Sequence, residues 1–263
     1  MAMDFDLKFR RDELVSDTEI SIYDRDGFLI VPDVLDPETL KLLKEKAEPF
    51  AESPDYPVVL NIHRKQRIFG ELMLHPIIMT AMERLQRSTI FGLTSQYLFK
   101  RAGSTYGRQS WTPHQDNAYP KAEHGAYTIL HLALEDSDSE NGGLEFWTGS
   151  HVEPILDYEY KHSWREKVDD DGIARPGWMI HNIPKQYSAT NVNVSAGSLC
   201  VMHGHLIHAS KPNLSVDRNR PQYSMAFINH DSSYLRGETS IKMPFTRTEV
   251  EAMPREATEF PVN

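Results

Sequence analysis

"GSLCVMHGHLIHASKPNLSVDRNRPQYSMAF", residues 197–227, carries in one stretch the signals that set both the fold class and the chemistry. Two β-prone runs, "GSLCVMHGHLIHAS" and "PQYSMAF", flank a segment of Pro, Asn, Ser and Asp. Short apolar runs joined by turn residues read as strands of a sandwich or barrel. The pattern recurs upstream in "GLTSQYLFK" (92–100), "AYTILHLAL" (126–134) and "GGLEFWTGS" (142–150). "YTILHLAL" alternates only loosely, as a strand buried on both faces does.

Before residue 89 the chain reads differently. Gly27 opens a short apolar strand over 28–31. Asp36 caps a helix with Pro37 in its first turn, where a missing N–H costs nothing. Leu40, Leu43 and Ala47 give that helix one apolar face, and Pro49 stops it. A second helix starts at Pro76, with Ile77, Ile78, Ala81, Met82 and Leu85 as a buried stripe. Thr246 and Glu249 form a capping box before a short C-terminal helix. The expected fold is therefore α+β, one domain over 1–263. It comprises a helical part (1–88), a double-sheet body (89–232) and an extension (233–263). The long polar segment 151–187 is expected to be an insertion or lid.

Bulk properties exclude several classes. The chain has 263 residues and a net charge of -10, with Lys and Arg scattered. No basic stripe marks a nucleic-acid surface, and no run is long and apolar enough for a membrane span. Cys200 is the single cysteine, which rules out an intrachain disulfide and a thiolate metal cluster. With a charged start, "MAMDFDLKFRRDELV", a reducing cytoplasm is the expected compartment. A small-molecule substrate is the expected partner; oligomeric state is not legible.

The chemistry rests on two distant stretches. His203, His205 and His208 crowd the opening segment, with Ser210, Arg218 and Arg220 beyond. Far upstream, "WTPHQDNAYP" (111–120) contains His114-Gln-Asp116. Residues two apart on an extended chain point to the same side. Two imidazoles and one carboxylate on one face make the non-haem iron pattern. His-x-Asp alone carries little weight in a chain with 12 His. Which downstream His completes the set stays open on spacing alone. An Arg beyond it suits a carboxylate ligand, through its bidentate fork.

In combination these segments resemble the phytanoyl-CoA dioxygenase family of Fe(II)- and 2-oxoglutarate-dependent oxygenases. The resemblance is carried by His114-Gln-Asp116, Asn141-Gly-Gly-Leu144, Gly149-Ser-His151 and His208-Ala-Ser210-Lys-Pro-Asn213-Leu-Ser215 with a following Arg. The opening "DGFLIVPDVLDPETLKLLKE" (26–45) is similar too. The resemblance implies a double-stranded β-helix core, a cupin-like jelly roll with flanking helices. It implies Fe(II) held by His114, Asp116 and His208, with 2-oxoglutarate and O2 as co-substrates. Arg220 would hold the distal carboxylate of 2-oxoglutarate, preferred to Arg218 for its spacing to Phe227. Ser210 would bond the same carboxylate, and His131 stands where relatives often carry an aromatic contacting the co-substrate. His203 and His205 are then strand positions near the site.

The implied reaction is hydroxylation of an unactivated C–H in a small polar metabolite, releasing succinate and CO2. Related halogenases replace the carboxylate by a small residue, so Asp116 favours hydroxylation over chlorination. Candidate substrate contacts are Gln109, Trp111, Asn117, Tyr119 and Trp147, with Asn61, His63 and Arg64 at the pocket mouth. Core packing is the competing reading for both tryptophans. Two positions depart from the family pattern: Thr148 replaces a Pro, and Ala209 a Gly. Neither is a ligand. The competing functions are a non-catalytic jelly-roll metal-binding module and a Zn-type hydrolase using the same three residues.

Overall fold

The computed structural model describes residues 4–52, 57–160, 177–236 and 243–255. Helix α1 (Asp17–Asp26) begins at a reciprocal cap. The Ser16 hydroxyl accepts from the Glu19 N–H, and the Glu19 carboxylate accepts from the Ser16 N–H. It ends at Gly27, which leads directly into strand β1 (Phe28–Val31). Helix α2 (Pro37–Ala47) starts as the sequence foretells, with the Asp36 carboxylate accepting from the Thr39 N–H at 2.7 Å. Strand β2 (Val58–Leu60), helix α3 (Arg67–Met73) and helix α4 (Pro76–Gln86) complete the N-terminal part. Two helices escape the sequence reading, for different reasons. α1 buries only Tyr23, so it shows no stripe, although its Ser16/Glu19 cap is a legible signal. α3 is buried from Ile68 to Met73, so it has no amphipathic period to find.

The body holds β3 (Ile90–Leu98), β4 (Trp111–His114), β5 (Tyr127–Ala133), β6 (Leu144–Trp147), β7 (Tyr158–Tyr160), β8 (Trp178–Ile180), β9 (Ala189–Val192), β10 (Leu199–His203), β11 (His208–Ser210) and β12 (Gln222–Asn229). Helix α5 (Arg247–Ala252) follows. A six-stranded sheet runs β1-β10-β5-β12-β3-β2, and a four-stranded sheet runs β4-β11-β6-β9. Every pairing is antiparallel. These are the two walls of a jelly roll, with β7 and β8 as a separate hairpin. Among the described residues, no helix is long and apolar enough to cross a membrane.

Side-chain alternation divides the large sheet into two faces. Leu130, Leu132, Leu199, Val201, Tyr223 and Phe227 pack outward in one core with the helices. Ile129, Ala133, Cys200, Met202, Ala226 and Ile228 face Leu144 and Phe146 of the small sheet. Strand β5 is buried at all seven positions because both faces are covered. The outer core is locked by α3: Phe69 lies edge-on to Tyr223 at 4.9 Å and to Tyr97 at 5.7 Å. The Tyr223 hydroxyl donates to the Phe69 carbonyl at 2.9 Å.

The quoted run "GSLCVMHGHLIHAS" is two strands rather than one. A turn at Gly204 sends β10 into the large sheet and β11 into the small one. A side chain at Gly204 would meet the Tyr127 carbonyl at 2.7 Å, so only glycine fits the crossing. This turn lets one contiguous stretch contribute to both walls.

Candidate metal and co-substrate site

β4 and β11 are neighbours, and His114 pairs directly with His208 across them. Their rings lie 4.2 Å apart. Gln115 keeps an extended backbone, φ −118° and ψ 123°, so Asp116 returns to the His114 side as the i, i+2 spacing requires. The Gln115 side chain points away, bonding the Pro154 and His205 carbonyls and the Leu156 N–H. One donor atom from each of His114, Asp116 and His208 lies within 4.8 Å of the others.

Hydrogen bonds set which nitrogen each imidazole presents. His114 Nδ1 bonds the Thr112 carbonyl at 2.7 Å, and His208 Nδ1 bonds the Leu206 carbonyl at 3.0 Å. A carbonyl only accepts, so each Nδ1 carries a proton and Nε2 is the nitrogen each ring has left to present. Those Nε2 atoms face Asp116, at 3.4 Å from Oδ1 for His114 and 3.7 Å from Oδ2 for His208. Burial pushes His208 down to about 4, with His114 adding to the effect, so its ring is neutral at ordinary pH. Burial opposes the Asp116 charge, but His208 and His114 outweigh it and hold the carboxyl well below its usual range. Two imidazole nitrogens and a carboxylate converging on one point suit a divalent iron ion.

The three residues open onto a cavity of about 340 Å³ between the sheets. Arg220, 3% exposed, lines the same cavity. Its Nη2 donates to Gln222 Oε1 at 2.8 Å and its Nε to Ser137 Oγ at 3.3 Å. Burial lowers it to about 10, so it stays charged at neutral pH. Among the described residues no carboxylate pairs with it. Arg218 instead lies at the surface, paired with Asp138 at 2.7 Å and Glu140 at 3.2 Å. Ser210 and His131 also line the cavity.

The Arg220 contact fixes the tautomer of His131. Because Gln222 Oε1 accepts from Arg220, its amide nitrogen faces His131 Nδ1 at 2.6 Å. That nitrogen donates, so Nδ1 accepts and Nε2 carries the proton. His131 Nε2 is buried with no partner among the described residues. Burial pushes His131 down to about 3, keeping it neutral. A single N–H donor is thus left for a ligand between the triad and Arg220.

The other sequence candidates divide. Tyr119 and Trp111 line the cavity. Gln109, Asn117 and Trp147 do not. Gln109 is buried at 4% exposure. Asn117 holds the loop, bonding Ala122 through both amide atoms and His205 Nε2 at 2.7 Å. After Asp116 the chain enters a 3-10 turn, so strand alternation no longer sets side-chain direction. Trp147 pairs with Ala189 of β9. The proposed mouth residues are structural too. The Ser95 N–H donates to Asn61 Oδ1 at 3.4 Å, His63 Nδ1 bonds Ser95 Oγ at 2.6 Å, and Arg64 pairs with Glu249. His203 and His205 form a separate cluster with His124 and His151. His205 lies in the turn after β10 rather than on a strand.

Sequence reading missed Thr94, Gln96 and Leu98 on β3 and Tyr127 and Ile129 on β5, which line the cavity. Their alternate spacing was the available signal, once the inner face of each strand is known. Part of the 151–187 segment lies outside the described residues, at 161–176. Its described ends form the β7–β8 hairpin beside β4, where the Trp178 carbonyl accepts from Thr112 Oγ1 at 2.9 Å. Tyr119 packs edge-on to Trp178 at 6.0 Å.

Comparison with known proteins bears on this geometry. A model of the family described as phytanoyl-CoA dioxygenase matches residues 23–221. A phytanoyl-CoA dioxygenase of Arabidopsis thaliana is 33% identical over 141 residues, which is 53% of this chain and 44% of that protein. The match thus spans less than half of that relative's length. An ectoine dioxygenase of Nocardia farcinica is 24% identical over 223 residues, covering 76% of this chain and 74% of that one. The fold is shared with the epimerase SnoN, solved with Fe3+, alpha-ketoglutarate and nogalamycin RO. Its TM-score is 0.69 at 21% identity, covering 87% of this chain and 94% of that one.

Proposed function

The chain belongs to the phytanoyl-CoA dioxygenase family, and from that membership we propose an Fe(II)- and 2-oxoglutarate-dependent dioxygenase that hydroxylates an unactivated C–H of a small polar metabolite. The observation that carries the reading is one cavity lined both by the convergent His114, Asp116 and His208 and by a buried Arg220 without a described carboxylate partner. Iron with bound 2-oxoglutarate supplies the oxidising power: substrate C–H, O2 and 2-oxoglutarate become substrate C–OH, succinate and CO2.

The protein residues have defined tasks in this scheme. The two Nε2 atoms and the Asp116 carboxylate hold the metal. Arg220 and Ser210 take the distal carboxylate, and the His131 N–H donates to the co-substrate between them. Retained Asp116 fills the position a halide would need. The remaining wall is uncharged: Leu60, Thr94, Gln96, Leu98, Trp111 and Tyr119. It suits a compact, uncharged polar substrate, because Thr94, Gln96 and Tyr119 offer hydrogen-bonding groups while a charged group there would lose its hydration without a partner. We assign the β7–β8 hairpin and Tyr119 to the cavity rim, and the whole chain to a single domain. A hydrolase on the same ligands needs a separate general base. Among the described lining residues Asp116 is the only carboxylate, which counts against it.

The test is to add Fe(II) and 2-oxoglutarate anaerobically to the protein. A metal-to-ligand charge-transfer band is expected. No band, together with normal iron binding by His208→Ala, would end the oxygenase reading. Arg220→Ala should weaken 2-oxoglutarate by about thirtyfold or more while sparing iron, as for truncating one side of a buried charge pair. Unchanged affinity would transfer the role to Arg218.

A further inference from the structure

Asp116 stands between two residues that are both tied to the turn joining β10 to β11. The Gln115 amide nitrogen donates to the His205 carbonyl at 2.9 Å. The Asn117 N–H donates to the Gly204 carbonyl at 2.8 Å. The Asn117 side chain reaches the His205 ring itself, with Nδ2 2.7 Å from Nε2. Both residues are buried. The Asp116 carboxylate accepts from no backbone N–H among the described residues, and the His114 and His208 rings are what it faces. Its placement therefore follows the backbone on either side, and both flanking residues close on His205.

Hydrogen bonds leave this network a single arrangement. The Ala122 N–H donates to Asn117 Oδ1 at 3.0 Å, and the Ala122 carbonyl accepts from Nδ2 at 2.8 Å. Those two contacts fix which end of the amide is which. The second Nδ2 proton then points at His205 Nε2, which has to accept it. His205 carries its own proton on Nδ1, which donates to the Glu153 carbonyl at 2.9 Å. Burial holds His205 below its usual value, which favours the neutral ring that an acceptor requires.

Resting on the reading that Fe(II) binds at His114, Asp116 and His208, we propose that His205 is a positioning residue for the metal-binding carboxylate. Its Nε2 holds the Asn117 amide, and Asn117 holds the turn from which Asp116 reaches the metal. It acts through Asn117 and is not itself a ligand.

Two single substitutions separate this task from packing, because the ring makes two different contacts. His205→Asn sets an amide near the place of Nδ1, so the Glu153 bond survives and the Asn117 bond is lost. His205→Gln sets an acceptor near the place of Nε2, so the Asn117 bond survives and the Glu153 bond is lost. Each leaves a buried group unpaired, so the Tm of the metal-free protein should fall in both. Anaerobic Fe(II) titration by calorimetry should part them. His205→Asn should raise the Fe(II) Kd about tenfold, the low end for a partner behind a metal ligand, and His205→Gln should stay within about twofold of wild type. Affinity for 2-oxoglutarate at saturating Fe(II) should hold in both. Asn117→Ala should weaken Fe(II) at least as much, and His205→Asn added to it should change little, because both break one contact. Wild-type Fe(II) affinity in His205→Asn overturns the proposal, as do equal losses in His205→Asn and His205→Gln or losses that multiply in the double variant. If His205→Asn does not fold, Asn117→Ala decides the matter, and wild-type Fe(II) affinity there overturns it. A wild-type protein that binds no Fe(II) would instead sink the underlying function.

Discussion

Asp116 sits where burial disfavours its charge, and the His208 and His114 rings beside it restore that charge. The histidines are oriented by backbone carbonyls rather than side chains, so no second motif in the sequence announces their tautomers. His114 and Asp116 were legible because extended chain makes i, i+2 equivalent. Arg220 and Arg218 were nearly equivalent in sequence, and burial separates them: one faces the cavity, the other Asp138 and Glu140. Gln109, Asn117 and Trp147 lay close to the motifs yet point elsewhere, since a turn or a neighbouring strand redirects them. His131 tests the cavity's polar logic. His131→Phe keeps a ring but removes the Nε2–H, so 2-oxoglutarate affinity should fall by about tenfold, a hydrogen bond to a charged acceptor. Titrating the charge-transfer band measures it, and a Kd equal to wild type would remove His131 from the co-substrate contacts.

The decisive element is β10–turn–β11. Its turn packs His203 and His205 against His124 and His151, with ring separations of 4.4 to 5.6 Å. Tyr23 of α1 lies alongside, and His151 Nε2 bonds the Asp24 carbonyl. Asp24 and Asp26 are the acidic groups acting on His151. Burial first, and then His151, His205 and His124, push His203 down to about 3. His151 and His205 are lowered as well, mainly by burial. A histidine that stays neutral when folded takes up its proton on unfolding. Stability is therefore full above the unfolded value of about 6.5 and falls as pH drops from there toward about 3, by up to about 1.4 kcal/mol per pH unit per histidine. His203→Asn should shrink the loss of Tm between about pH 7 and about pH 5. An identical loss in the variant would show that the cluster does not carry the acid sensitivity. The two-strand nature of this stretch was not legible, because the turn is forced by contact with Tyr127 from another strand.

At the scale of the molecule, one apolar core joins Phe5 near the start to Val250 near the end, through α2, α3, α4 and the outer face of the large sheet. Helices and jelly roll should therefore unfold together. Phe69→Ala should cost about 3–5 kcal/mol and lower the far-UV circular dichroism and tryptophan fluorescence transitions in step. Two separated transitions would divide the chain into two domains. The sequence by itself determined the strand-rich body, the caps of α2 and α5, and a chemistry class, because those depend on local period, turn residues and ligand types. It also marked His114 and Asp116 as candidate ligands, since their spacing is local, while His208 and the choice of Arg220 over Arg218 came only through the family resemblance. Tertiary structure alone decided that His208 faces His114, that Arg220 rather than Arg218 is enclosed, and that His205 closes on Asn117 beside Asp116. Those outcomes depend on strand register and on burial by distant segments, which no local pattern of residues encodes.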